Sequence, residues 1–146
     1  MKIFTIGFTK RSAESFFKIL EDNKVQLVLD IRLRNESQLS GFSKGKDLEY
    51  FLKCLIKCDY VHDLMFAPTP ELLDLYKKKK CDWDSYETKY QNILSDRDAI
   101  SYFFAKFGNR ERICLLCSEF EPKQCHRRLL AESIAKSNNK IEIIHL

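Results

Sequence analysis

Apolar positions along the chain follow two alternating rhythms. Short, nearly unbroken apolar runs at Lys2–Ile6, Val25–Leu29 and Ile113–Cys117 have the length and density of strands covered on both faces, as strands of a parallel sheet are. Asp59–His62 reads as a further brief strand and Ile141–Leu146 as the last. Between them the spacing is helical. Phe16, Phe17, Ile19 and Leu20 line one face of a helix over 13–22 with Ser12 as its N-cap. Leu48, Phe51, Leu52, Leu55 and Ile56 do the same over 47–57. Thr69-Pro70 starts a third helix that runs to the lysines at 77–80, with Thr as cap and Pro at the first helical position. Trp83, Tyr86, Tyr90, Ile93 and Leu94 predict a fourth over 83–94, and Ile100, Phe103, Phe104 and Phe107 a fifth over 98–107, with Gly108 as its C-cap. A sixth covers 124–136. The order β-α-β-α-β-α-α-α-β-α-β predicts a single α/β domain over residues 1–146, with a mainly parallel sheet of about five strands, helices on both faces and right-handed crossovers.

In such a sheet, ligands bind in the crevice at the carboxyl ends of the strands. The chemistry-capable residues of this chain gather there. Gly7 follows the first strand, with Arg11 just beyond it. Asp30 and Arg32 close the second strand two residues apart, so they point to the same side and either pair with each other or jointly address a ligand. His62, followed by Asp63, ends the third. The richest stretch is Ile113 to Ala131, where strand, loop and helix carry Cys117, Glu119, Cys125, His126, Arg127 and Arg128. Cys114 and Cys117 have CxxC spacing, but on a strand they face opposite sides, so they share neither a metal nor a disulfide. Cys117 and Cys125 form a better pair, because the loop can bring them together. With Glu119 and His126 they could hold a metal, yet Cys-x7-Cys-His is no standard zinc spacing, and no metal ligands are assigned. A helix N-terminus lowers a cysteine's pKa and attracts anions, and the arginines add to both effects. Cys125 is thus either a reactive thiol with Arg127 as anion clamp or a small buried hydrophobe. Cys54 and Cys58, four apart on one side of the second helix, read as core or surface thiols.

Composition narrows the class. The chain has 45% hydrophobic and 32% charged residues with only four Gly and three Pro, which excludes a disordered or linker-rich chain. No apolar stretch approaches the roughly 20 residues that span a bilayer, and the run from Met1 to Gly7 is too short for a signal peptide. A cytoplasmic protein with six reduced cysteines and no membrane partner is expected. A net charge of +4 is mild, and Lys77–Lys80 is the only dense basic run, either a solvated helix end or a phosphate-contacting patch. Leu33 to Gly45 is a long loop with Lys44 and Lys46 beside its glycines. Neither GxGxxG nor GxxxxGK[ST] occurs.

Several of these stretches resemble the family catalogued as domain of unknown function 488, nearly end to end. Thr5 to Ser12 is similar to that family's TIGHSxRS start, Leu29-Asp30-Ile31-Arg32 to its (V/L)DxR strand end, and Gly41-Phe42-Ser43-Lys44 to its (Q/G)FxK element. Tyr60-Val61-His62 resembles its YxH, and Cys117-Ser118-Glu119 with Cys125-His126-Arg127 its CxE...CHR signature. The resemblance implies a small cytoplasmic α/β domain with its signatures at strand ends, and no agreed reaction. The family's usual histidine after TIG is Phe8 here, so any role of that histidine is lost or moved to His62 or His126.

The leading expectation is a pocket at the carboxyl edge that binds an anionic, phosphate-bearing ligand such as a nucleotide or nucleic-acid fragment. Arg32 and Arg127 would bind the anion, with Gly7, Arg11 and His126 beside it. Asp30 and Glu119 are acid/base or orienting candidates, and Cys125 is the candidate nucleophile. The alternative class is a non-catalytic nucleic-acid- or partner-binding module that uses Lys77–Lys80, Lys44 and Lys46. A third reading makes Asp30, Arg32, Glu119 and Arg127 a structural ion network.

Overall fold

The computed structural model describes residues 1–36 and 41–146; the middle of the expected 33–45 loop, Ser37 to Ser40, lies outside them. The elements are β1 (Lys2–Gly7), α1 (Ala13–Asp22), β2 (Leu27–Asp30), α2 (Gly45–Ile56), β3 (Asp59–His62), α3 (Pro70–Lys77), α4 (Trp83–Asp96), α5 (Ala99–Phe107), β4 (Arg112–Cys117), α6 (His126–Ser137) and β5 (Glu142–His145). Short 3-10 turns add Gly41–Ser43 and Leu64–Phe66. The five strands form one sheet in the order β3-β2-β4-β1-β5, and every pairing is parallel.

Alternation along the strands builds two cores. Ile3, Leu27, Leu29, Ile113 and Leu115 face one side, where Tyr90, Phe103, Leu129 and Leu130 of α4, α5 and α6 cover them. Phe4, Ile6, Val28, Cys114 and Leu116 face the other, under Phe16 and Leu20 of α1 and Leu48 and Leu52 of α2. Burial on both faces is why the strand sequences show no polar alternation. Caps act where the sequence places them: Ser12 Oγ accepts from the Ser15 amide and Thr69 Oγ1 from the Leu72 amide.

Among the boundaries that differ from the sequence pattern, three have a visible cause. β2 begins at Leu27, because Lys24 is left-handed (φ 50°) and the Val25 amide turns back to the Leu20 carbonyl. α2 begins two residues early, at Gly45, whose amide donates to the Asn35 carbonyl at 2.8 Å. The Asn35 side chain lies where a Cβ on Gly45 would be, so any larger residue at the start of the helix has to displace it. α2 ends at Ile56 with Lys57 left-handed (φ 53°). Cys58 therefore leaves the helix and is buried while Cys54 stays exposed, so the two do not share a helix side.

The crossovers set the position of the site. α1 and α2, which follow β1 and β2, pack on one face, whereas α6, which follows β4, packs on the other. β4 lies between β1 and β2, so the chain divides to opposite faces around its carboxyl end and opens the crevice of an α/β sheet there. Among the described residues, no helix is long and apolar enough to cross a membrane.

Candidate functional site

Cys117 ends β4 on the α6 side, in register with Gly7 of β1. Cys125 is the N-cap of α6, and the loop between them returns its sulfur to 2.9 Å from Cys117 Sγ. His126, the first residue of α6, places Nδ1 3.9 Å from Cys117 Sγ, while its Nε2 lies 3.2 Å from the Ile31 carbonyl oxygen. Tyr90 meets the imidazole edge-on, with ring centroids 5.6 Å apart. All three residues are buried. Within the pair, the Cys125 thiol donates to Cys117, and His126 and the Glu119 amide add to this, holding the Cys117 thiol well below its ordinary value. Burial and the neighbouring Cys117 push Cys125 well up. Burial disfavours the imidazolium of His126, but the Cys117 sulfur outweighs it and raises the histidine. Cys117 is thus the lowered thiol of the pair and Cys125 its hydrogen-bond donor.

Arg127 is completely buried. Its guanidinium donates Nη1 to the Glu119 carbonyl and Nη2 to the Phe120 carbonyl at 2.8 Å, which pins the 118–124 loop onto α6. The same Glu119 carbonyl oxygen occupies the place where a Cβ on Gly7 would be, so Gly7 is the position that lets the loop close over β1. Arg11 donates Nε to the Gly7 carbonyl at 3.0 Å and Nη2 to the Leu146 carbonyl at 2.8 Å, and its guanidinium stacks over Phe120. Burial first and Arg127 second lower its pKa.

A second polar group sits at the end of β2. Arg32 grips Asp30 with two hydrogen bonds, Nε to Oδ1 at 2.8 Å and Nη2 to Oδ2 at 2.6 Å, and also donates to the Ser43 carbonyl. The Tyr60 hydroxyl donates to Asp30 Oδ2 at 2.6 Å, and Asn35 donates to that hydroxyl. Burial, then the Asp30 charge, pushes the Tyr60 phenol up. Burial also works against the Arg32 cation, but Asp30 outweighs it and raises the guanidinium's pKa. Phe8 lies against the Arg32 guanidinium, its ring centroid 5.1 Å away. His62 Nε2 lies 2.7 Å from the Arg32 carbonyl oxygen.

The structure therefore brings Cys117, Cys125 and His126 together with Arg127 beside them, and separately pairs Asp30 with Arg32. Glu119 contributes its carbonyl and amide, while the residue itself is exposed. One of the α6 amides expected to receive an anion is committed within the chain, since the Arg128 N–H goes to the Cys125 carbonyl. An apolar groove of about 620 Å³ lined by Phe17, Phe42, Phe51 and Leu55 lies between α1 and α2, away from the cysteines. Sequence reasoning gave no role to Tyr60 or to the Ile31 carbonyl. The register of β2 on β3, Val28 opposite Tyr60 and Asp30 opposite His62, is the signal that would have found Tyr60.

No curated protein and no solved structure matches the chain. The model of the family described as "Domain of unknown function DUF488" matches residues 12–134. The match takes in the Asp30–Arg32 strand end, Tyr60 and the Cys117–Arg127 stretch, and leaves Gly7, Arg11 and β5 outside. With more than four-fifths of its residues under that match, the chain belongs to the DUF488 family.

Proposed function

We propose that the protein is an enzyme-like domain that works at the carboxyl edge of its sheet, where the Cys117–Cys125–His126 cluster acts on an anionic, phosphate-bearing ligand such as a nucleotide or nucleic-acid fragment. The observation that carries this reading is the convergence of two sulfurs and an imidazole at the end of the strand around which the chain divides. The anion follows from the cations nearby. Arg11, Arg32 and Arg127 bring three guanidinium groups to the strand ends, and Asp30 is the buried carboxylate among them. Arg32 Nη1 and Arg127 Nε are buried without an acceptor. An unsatisfied buried donor costs about 1–3 kcal/mol, which a ligand oxygen would remove. Half-buried Arg11 is the outermost of the three and the first that an arriving anion meets. Asp30 orients Arg32, and the exposed Glu119 carboxylate on the loop is the acid/base group.

Calorimetric titration with pyrophosphate and with nucleoside monophosphates tests the reading. Saturable binding of one ligand per chain is expected, weakened about tenfold, or 1.4 kcal/mol, in Arg11→Gln. Absence of binding by the folded wild-type protein overturns it. A second reading, a non-catalytic nucleic-acid module, is favoured by the four exposed lysines Lys77–Lys80 at the end of α3. Binding of single-stranded DNA that weakens with salt, and that depends on those lysines but not on Arg11, would assign the function to that surface.

A further inference from the structure

We propose that Cys117, Cys125 and His126 bind a soft or borderline divalent metal ion, Zn²⁺ above all. The inference rests on the reading of this cluster as the working centre and names its cofactor. The spacing Cys-x7-Cys-His gives no hint of it, because strand, loop and helix N-terminus deliver the donors together in space. One donor atom from each residue lies within 4.8 Å of the others.

The donors are also oriented for a metal. A carbonyl oxygen only accepts, so the Ile31 carbonyl beside His126 Nε2 keeps a proton on Nε2 and leaves Nδ1, which faces the sulfurs, as the ring atom that can ligate. Metal-binding histidines are held in this way, with the other nitrogen donating to a backbone carbonyl or carboxylate. The backbone amides of Glu119 and Arg127 favour the negative form of Cys117 and Cys125 respectively. The start of α6 also favours negative charge. A bound cation would displace the proton that Cys125 shares with Cys117 and remove the repulsion between the two thiolates that result.

The 2.9 Å sulfur separation does not by itself decide between fates. Tetrahedral zinc with bonds of about 2.3 Å spaces two sulfurs about 3.8 Å apart, whereas a disulfide needs about 2.05 Å, so each is reached by a side-chain adjustment of similar size. The imidazole nitrogen beside the sulfurs favours the metal, because a disulfide makes no use of it. Sulfur and imidazole donors select zinc over magnesium or calcium. Three protein donors leave a fourth position, as in catalytic zinc sites, where water or the anionic ligand would bind. Cys114 takes no part, since it packs in the core on the opposite face.

The test is a titration of the reduced, chelator-stripped protein with Co²⁺, read by sulfur-to-cobalt charge-transfer absorption and the intense visible bands of tetrahedral cobalt. One equivalent per chain is expected, displaced by one equivalent of Zn²⁺, and unchanged when the solvent-accessible Cys54 and Cys81 are both replaced by Ser. Cys117→Ser and His126→Asn are expected to weaken binding by more than about 100-fold, beyond the 10–100-fold typical of losing an outer-shell partner. A folded, fully reduced wild-type protein without these bands overturns the proposal, and so do bands that survive replacement of both Cys117 and Cys125. Pyrophosphate titration of stripped and zinc-loaded protein separates this outcome from the anion reading: cobalt uptake without phosphate binding keeps the metal site and removes the anion, and phosphate binding without cobalt uptake does the reverse.

Discussion

Two buried polar groups flank the carboxyl end of β2, and they differ in what they leave open. The Asp30–Arg32–Tyr60 group is closed: both carboxylate oxygens are taken, and all but one of the guanidinium N–H-bearing nitrogens have an acceptor. The Cys117–Cys125–His126 group is open. Its sulfurs touch each other, and the Nδ1 atom of His126 faces Cys117. A buried ion pair of this kind holds a chain end in place, and Arg32 Nη1 is the one guanidinium nitrogen that it leaves for a ligand. Soft donors with unused valence have the opposite character. The third sequence reading, a structural ion network, thus describes Asp30 with Arg32, but not the carboxylate of Glu119, and Arg127 serves the backbone of a loop. The two groups meet at the backbone of β2, where Ile31 bonds to His126 and Arg32 to His62.

The largest expected effect breaks the closed group. Asp30→Ala leaves the buried Arg32 cation and the Tyr60 hydroxyl without their acceptor, and breaking one side of a buried pair costs about 3–5 kcal/mol. Urea unfolding at neutral pH measures it. A loss below about 1 kcal/mol would mean that the pair is not the anchor described here. An intermediate effect probes the open group through its lid. A Cβ at Gly7 must displace the Glu119 backbone, which is fixed in turn by Arg127, and overpacking of this kind costs about 1–3 kcal/mol. Gly7→Ala should therefore lower the urea midpoint and also change the alkylation rate of Cys117 and Cys125, because the displaced loop joins them. Asp30→Ala, on the other face, should leave that rate nearly unchanged at equal fraction folded. Equal disturbance of the thiols by both variants would merge the two groups into one.

The element order was legible because strand runs buried on both faces and helical stripes have different periods, and Ser12 and Thr69 mark helix starts by their hydroxyls. The sheet order was not, since a parallel pairing depends on the crossovers between strands and leaves no local trace. The same cause separates what was read of the site from what was missed. Cys117, Cys125 and His126 lie within one strand–loop–helix unit, so their meeting could be anticipated. The identity of the lowered thiol could not, because it depends on which sulfur donates across the pair. Tyr60 reaches Asp30 only through the β2–β3 register. Gly7 looked like a ligand contact, and its visible task is to leave room for the Glu119 carbonyl.

The smallest expected effect extends the contrast to a half-exposed pair at the same edge. Asp63, just beyond β3, accepts from the Met65 amide, Tyr102 and Lys106 at 2.8 Å. Burial acts to raise its pKa, but Lys106, the amide and Tyr102 outweigh it and hold the carboxyl below its ordinary 3.8. With the folded value depressed, the unfolded chain binds more protons in the acid window just below pH 3.8, so stability there rises with pH. The contribution is complete above that value and is lost as pH falls through the folded one. Asp63→Asn can keep the cap on Met65 and removes only the charge. It should cost under about 1 kcal/mol at pH 7, since the Lys106 end is 44% exposed, and it should flatten the acid limb of stability against pH. An acid limb as steep as wild type would show that other carboxylates set it. A cost at pH 7 as large as that of Asp30→Ala would show that burial is not what separates the strong pair from the weak one.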